Sequence, residues 1–227
     1  MRILRADRAS ERRRVRGCFG EGRLPQSDGS RGAAAARGVR ILGTRFERPL
    51  QVTFVGDSVP AALDYVSAAE ARLAHGMSMR LDLKVCRRLV QTSCSFQGST
   101  PTTALQAIKT YGASLGQVLI IDVGYNESSQ GYNSRIDEIM RAALRQGVHG
   151  VVWVTLREAS SSRYAAIYRA TNTEIEAAAS RWSQLVVANW NAYSNGKPWF
   201  RSDGLHLTST GAFALAGFLR PFVFKAA

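Results

Sequence analysis

Five short apolar runs, separated by helical patterns, restrict the fold of this chain more than any other feature. They are "LQVTFV" (50–55), "MRLDLK" (79–84), "QVLIIDV" (117–123), "GVVWVT" (150–155) and "QLVVAN" (184–189). The stretches 118–121 and 151–154 are unbroken and rich in β-branched residues, as expected of strands covered on both faces. Between them, Ile136, Ile139, Met140, Ala143 and Leu144 recur at helical spacing, with Gly147 as a stop. Tyr164, Ile167, Tyr168, Thr171, Ile175, Ala178 and Trp182 form a second stripe. Residues 60–74, 102–113 and 209–220 read as shorter helices; Pro101 suits an early helical position, and Pro221 is expected to end the last one. Strands alternating with helices predict a parallel sheet of five strands in a three-layer α/β/α sandwich. With 227 residues and 45% hydrophobic content, the chain can bury one such core.

In sheets of this kind, ligands bind outside the carboxyl ends of the strands, so the loops after each run carry the chemistry. After the first run comes Gly56-Asp57-Ser58, where a serine at a strand-to-helix turn is either a helix cap or a nucleophile. After the third comes "GYNE", in which Asn126 offers an uncharged N–H₂ donor suited to a developing oxyanion. Before the last helix comes "RSDGLHLTSTGA", with Asp203 and His206 three residues apart around Gly204. A carboxylate at that spacing can hold one imidazole nitrogen and leave the other facing a hydroxyl. His75 and His149 have no such neighbour and read as residues at helix C-termini. Each loop alone has an ordinary structural explanation. Together they supply a nucleophile (Ser58), a base (His206), an orienting acid (Asp203) and an oxyanion donor (Asn126).

The net charge of +13 is uneven. Residues 1–48 hold 13 arginines against five acids, with "RGAAAARG" as a low-complexity stretch and little apolar periodicity. They read as a disordered basic tail, leaving 49–227 as the catalytic domain. Aromatic interleaving is absent from the tail, which argues against a specific nucleic-acid module. No run reaches the roughly 18 apolar residues of a membrane span, and the basic first residues lack the apolar core of a secretory signal. No His or Cys cluster has metal-ligand spacing, so neither a metal nor a cofactor is expected.

On "VGDSV", "GYN" and "DGLH", in that order from residue 50 to 222, the chain resembles the SGNH hydrolases, the GDSL family of esterases and lipases. The resemblance implies a flavodoxin-like sandwich, Ser58 as nucleophile, His206 as base, Asp203 as its orienter and Asn126 as oxyanion donor. It also implies a second backbone donor after the second strand, where the family has a glycine. Here that stretch is "LDLKVCRRLV", with Cys86 at the comparable place and Gly98 as a more distant alternative. The N–H survives in cysteine, but a left-handed backbone there would be strained. Cys86 and Cys94 lie close enough to form a disulfide, which would favour an extracytoplasmic location; two free thiols are the alternative.

The expected activity is hydrolysis of carboxylic esters through an acyl-enzyme on Ser58, with a small-molecule or glycan acyl ester as substrate. "GDSV" with "DGLHLT" looks closest to family members associated with acyltransferases of cell-wall glycans. The alternatives are therefore an O-acyltransferase using the same residues, or a glycan-binding domain that keeps the fold without catalysis. Tyr125 and Trp199 are the expected pocket aromatics, with Trp190, Tyr193 and Phe200 nearby in sequence.

Overall fold

The computed structural model describes residues 48–159 and 164–227. The expectation of a tail over 1–48 lies almost wholly outside the described residues. Five parallel strands form one sheet: β1 (Leu50–Gly56), β2 (Met77–Leu83), β3 (Val118–Asp122), β4 (Gly150–Val154) and β5 (Leu185–Ala188). Helices α1 (Ser67–Ala74), α2 (Ala104–Tyr111), α3 (Tyr132–Arg145), α4 (Ala165–Ala178), α5 (Trp190–Tyr193) and α6 (Ser209–Ala226) alternate with them. The α/β fold expected from the sequence is present.

Strand alternation sorts the two cores. Val52, Phe54, Val118, Ile120, Val152 and Val154 face one side, where Leu73 of α1 and Leu215, Leu219 and Val223 of α6 complete the packing. Val55, Leu119, Ile121, Val151 and Trp153 face the other, against Ile108 of α2, Ile136 and Ile139 of α3, and Ile175 of α4. Because both faces are covered, β3 and β4 have no exposed residue, which explains their unbroken apolar sequences.

Two helical expectations need correction. The stretch 60–74 is two elements, a 3-10 turn over Pro60–Asp64 and then α1, with Val66 outside helical geometry between them. Pro221 does not end the last helix, which runs on to Ala226. Proline removes one hydrogen bond, but Phe222 and Val223 beyond it pack into the α1/α6 core and carry the helix past it.

The strand order is β2-β1-β3-β4-β5. The chain leaves β1 for one side of the sheet and later returns to its other side, so a crevice opens beyond the carboxyl ends of β1 and β3. The loops carrying Ser58 and Asn126 both start there.

Candidate active site

The turn after β1 is built by close packing. A Cβ at Gly56 would lie 2.5 Å from Pro60 and 2.6 Å from Leu83, so only glycine lets the strand turn there. Asp57 is fully buried and ties the turn together. Its carboxylate accepts the Val59 N–H at 3.1 Å and the Gly124 and Tyr125 N–H groups at 3.1 and 3.0 Å. Asp57 thus joins the Ser58 turn to the Asn126 loop. Ser58 is not a helix cap: the 3-10 turn is capped at Val59 without a side chain, and the Ser58 hydroxyl lies 3.1 Å from His206 Nε2.

His206 Nδ1 in turn lies 2.7 Å from Asp203 Oδ2. Asp203 Oδ1 accepts the backbone N–H groups of Leu205 and His206, both at 2.9 Å. Its slight burial pushes its pKa up, but these two N–H groups and the His206 ring outweigh that push. The carboxyl is held below the ordinary range and stays charged. Gly204 makes the tight Asp-x-x-His turn possible with φ +71°. Arg157, after β4, anchors that turn: Nε donates to the Gly204 carbonyl at 2.8 Å, Nη1 to the Ser194 carbonyl at 3.0 Å, and the guanidinium lies over the Phe200 ring. Ser58, His206 and Asp203 are therefore brought together from the two ends of the domain.

Cys86, Asn126 and the serine share one cleft of about 380 Å³, lined also by Val59, Ala61, Val85 and Leu207. Among the described residues, neither the Ser58 nor the Cys86 N–H donates to a protein acceptor. Asn126 Nδ2 makes one long bond, 3.4 Å, to the Arg87 carbonyl. All three groups belong to residues that line this cleft. Cys86 adopts φ +70°, the left-handed conformation in which cysteine is strained. It is disulfide-bonded to Cys94, with Cα atoms 5.1 Å apart. Gly98 lies at the tip of a hairpin turn, and the cleft is lined by Cys86 instead.

Several supporting side chains carry no recognisable sequence signal. Arg87 is buried and donates to both Asp82 carboxylate oxygens at 3.0 and 3.1 Å, fixing the chain directly after Cys86. Glu127 accepts the Leu89 N–H at 2.6 Å and pairs with Arg135 at 3.3 Å. Arg88 Nε donates to the Asn126 carbonyl at 2.8 Å. The loops after β2 and β3 are thus cross-linked from both directions. A buried Asp residue next to an Arg run could have suggested the first contact; nothing in the sequence indicates the others.

The expected pocket aromatics are placed elsewhere. Trp199 stacks on buried Trp190, ring centroids 5.7 Å apart, and belongs to the rim of the α6 core. Tyr125 packs edge-on against Tyr168, and its hydroxyl accepts the Arg157 N–H at 2.7 Å. It lines a separate depression next to the cleft, beside Arg88 and Ser128. The aromatics lining the cleft of Ser58 and His206 are Tyr65 and Phe96. His75 caps the end of α1, and His149 lies on the loop entering β4, its N–H bonded to the Gln117 carbonyl. Among the described residues no group of His, Cys, Asp and Glu could hold a metal ion, and no helix is long and apolar enough to cross a membrane.

No protein-family model matches the sequence, and no curated protein does. Solved structures match it in fold. The C-terminal catalytic domain of Streptococcus pneumoniae peptidoglycan O-acetyltransferase A superposes with a TM-score of 0.58 at 18% identity, covering 78% of this chain and 92% of that one. A carbohydrate acetylesterase family member from Sinorhizobium meliloti gives 0.56 at 12% identity over 78% of this chain and 98% of its own. A member of the lipolytic G-D-S-L family from Veillonella parvula gives 0.56 at 14% identity, over 78% and 100%. The described domain has the fold of the SGNH/GDSL hydrolases.

Proposed function

We propose that the protein is a serine esterase that cleaves carboxylic esters through an acyl-enzyme on Ser58. The observation that carries this reading is the unbroken chain of contacts from Ser58 Oγ to His206 Nε2, and from His206 Nδ1 to Asp203. A serine hydroxyl is a weak nucleophile at neutral pH and needs an adjacent base. In the proposed mechanism, Ser58 Oγ attacks the ester carbonyl carbon while its proton passes to His206 Nε2. The charged Asp203 accepts the Nδ1–H bond and stabilises the imidazolium.

The carbonyl oxygen becomes an oxyanion bordered by the Ser58 and Cys86 N–H groups and the Asn126 amide. As the tetrahedral adduct collapses, the C–O bond to the alcohol breaks, and His206 returns its proton to the departing oxygen. Water then repeats the attack on the acyl-enzyme: His206 takes its proton, the bond from the acyl carbon to Ser58 Oγ breaks, His206 returns the proton to Ser58 Oγ, and the acid leaves. No step requires a metal or cofactor. A domain that only binds glycan has no use for a base aimed at a serine, so this geometry favours catalysis.

Ser58→Ala should retain the fold and lose p-nitrophenyl acetate turnover by at least about a thousandfold. Residual activity above that level removes Ser58 from the mechanism. Acyl transfer shares the first half-reaction, so products are resolved by mass in the presence of millimolar chito-oligosaccharide. Free acid is expected to dominate; an excess of acylated sugar makes the protein a transferase.

A further inference from the structure

Helix α6 packs Leu215, Leu219 and Val223 into the core and carries two phenyl rings on its outer side. Phe213, Gly217, Arg220 and Phe224 follow at spacings of four, three and four residues, which places them on one stripe about 16 Å long. Neither ring belongs to a core: Phe213 is 43% exposed and Phe224 is 51% exposed. Beside the stripe lies a shallow depression of about 640 Å³. Ala68, Ala71 and Arg72 of α1, His75 just beyond it, and Gly217 and Arg220 of α6 line it. None of these residues lines the Ser58 cleft.

The fold holds the cations of this face in place. Arg72 Nη1 donates to the Phe213 carbonyl at 3.3 Å, and its guanidinium lies 4.2 Å from the centre of the Phe213 ring. A Cβ at Gly217 would collide with that guanidinium, so the glycine makes room for it. Arg220 Nη1 donates to the carbonyls of Arg72, Leu73 and His75 at 2.9, 3.0 and 2.7 Å, closing the end of α1. Its guanidinium lies 5.6 Å from the centre of the Phe224 ring. Each arginine thus uses Nη1 on the fold and, among the described residues, keeps Nε and Nη2 without a protein acceptor. Those two nitrogens form one edge of the guanidinium, the fork that takes two phosphate oxygens. Among the described residues, neither arginine pairs with a carboxylate. Helix α6 contains no Asp or Glu, and the one acid of α1, Glu70, is two residues from Arg72 and so on another side of that helix.

We infer that this face of α6 docks the protein on a bilayer bearing anionic lipids, with Phe213 and Phe224 entering the interfacial region and Arg72 and Arg220 on lipid phosphates. The combination of groups selects that occupant. A soluble anion accounts for the two guanidiniums and leaves the rings unexplained. A second copy of this chain, meeting the first through the same face, sets Arg72, Arg220 and Lys225 against the same three cations. At a bilayer surface both kinds of group are used. Phenyl rings sit at headgroup depth, and each basic residue adds attraction to an anionic leaflet. The inference is independent of the esterase reading, because no residue of the Ser58 cleft takes part.

The test is co-sedimentation of the full-length protein with vesicles of equal parts phosphatidylglycerol and phosphatidylcholine. Attraction of the basic residues 1–48 to these vesicles is common to every variant, so comparison between variants isolates the face. Phe213→Ala/Phe224→Ala leaves every charge and the closure of α1 in place and should weaken binding by about tenfold. Arg72→Gln should weaken it by about fivefold. Arg145→Gln removes the same charge from α3, on the other side of the sheet, and should change binding by less than about twofold. Phe224→Trp should bind as wild type does, and its added fluorescence should be quenched by brominated acyl chains; none of the four native tryptophans lies on α6. The inference is overturned if the double phenylalanine variant binds within about twofold of wild type, if Arg145→Gln weakens binding as much as Arg72→Gln, or if the added tryptophan is not quenched. A wild-type dimer that the phenylalanine variant converts to monomer makes a second copy the occupant and also overturns it.

Discussion

The Cys86–Cys94 bridge should separate stability from transition-state stabilisation in one experiment. It closes a nine-residue loop. In the chain-entropy treatment, a loop of that size restricts the unfolded state by about 2–3 kcal/mol. For a domain of this size, the Cys86→Ala/Cys94→Ala variant should therefore melt about 5–10 °C lower. The second effect lies at the cleft, which Cys86 lines with its backbone at φ +70° and where its N–H is the proposed oxyanion donor. Alanine at that position prefers negative φ by about 1–2 kcal/mol, so without the bridge the N–H is free to turn away. Loss of one oxyanion donor costs about 3–4 kcal/mol at most.

Partial loss should thus reduce kcat on p-nitrophenyl acetate by about tenfold or more, with KM within twofold, because the oxyanion exists only near the transition state. Cys86→Gly/Cys94→Ala isolates the backbone. It also lacks the bridge and should melt low, but glycine accepts positive φ, so most of kcat should return. Thiol titration of the denatured, unreduced wild type should find one thiol per chain. If alanine and glycine variants share the same kcat, or if KM carries the loss, the left-handed Cys86 is not an oxyanion device.

Asp57 and Asp122 offer a pH test. Burial and then mutual repulsion raise the Asp122 pKa well above its ordinary 3.8, while burial lifts Asp57 to about 6 despite three N–H donors. The folded state therefore holds protons that the unfolded chain releases from pH 3.8 upward, and stability falls as pH rises through about 6. Asp122→Asn should match wild type in unfolding free energy from urea titration at pH 4 and exceed it by at least about 1 kcal/mol at pH 8; an equal or lower value at pH 8 would refute the charged-pair account. Truncation to residue 49 should leave both melting temperature and esterase activity unchanged, since 1–48 lacks apolar periodicity; a large drop in either shows that the tail packs on the domain.

The sequence exposed those parts of the molecule that obey a local rule. Val118–Asp122 and Gly150–Val154 were legible because burial on both faces demands unbroken apolar runs. Ser58, Asn126, Asp203 and His206 were legible because each follows or precedes a readable element, and strand-end loops meet at one edge of a parallel sheet. Pro221 misled because a local rule lost to packing: the buried Val223 beyond it stabilises the helix more than the missing N–H weakens it. Trp199 and Tyr125 misled differently. Proximity in sequence to a site residue says nothing about which way a ring points, and both rings found apolar neighbours within the fold. Arg157 was illegible because its partners, Ser194 and Gly204, lie 37 and 47 residues away on loops whose approach depends on the whole sheet.

Tyr65 and Phe96 show the same limit from the opposite side. An exposed aromatic on a turn satisfies no packing rule, so a sequence pattern cannot distinguish a binding surface from an ordinary surface residue. The fold shows that both rings line the cleft that Ser58 and His206 share. Residues at element ends are therefore placed by order along the chain, whereas residues on loops are placed by what surrounds them. For this protein the two kinds of evidence meet at Cys86. Its position after β2 was readable, its fitness for the proposed role was in doubt because it is not glycine, and the fold sets it at φ +70° within the Cys86–Cys94 bridge.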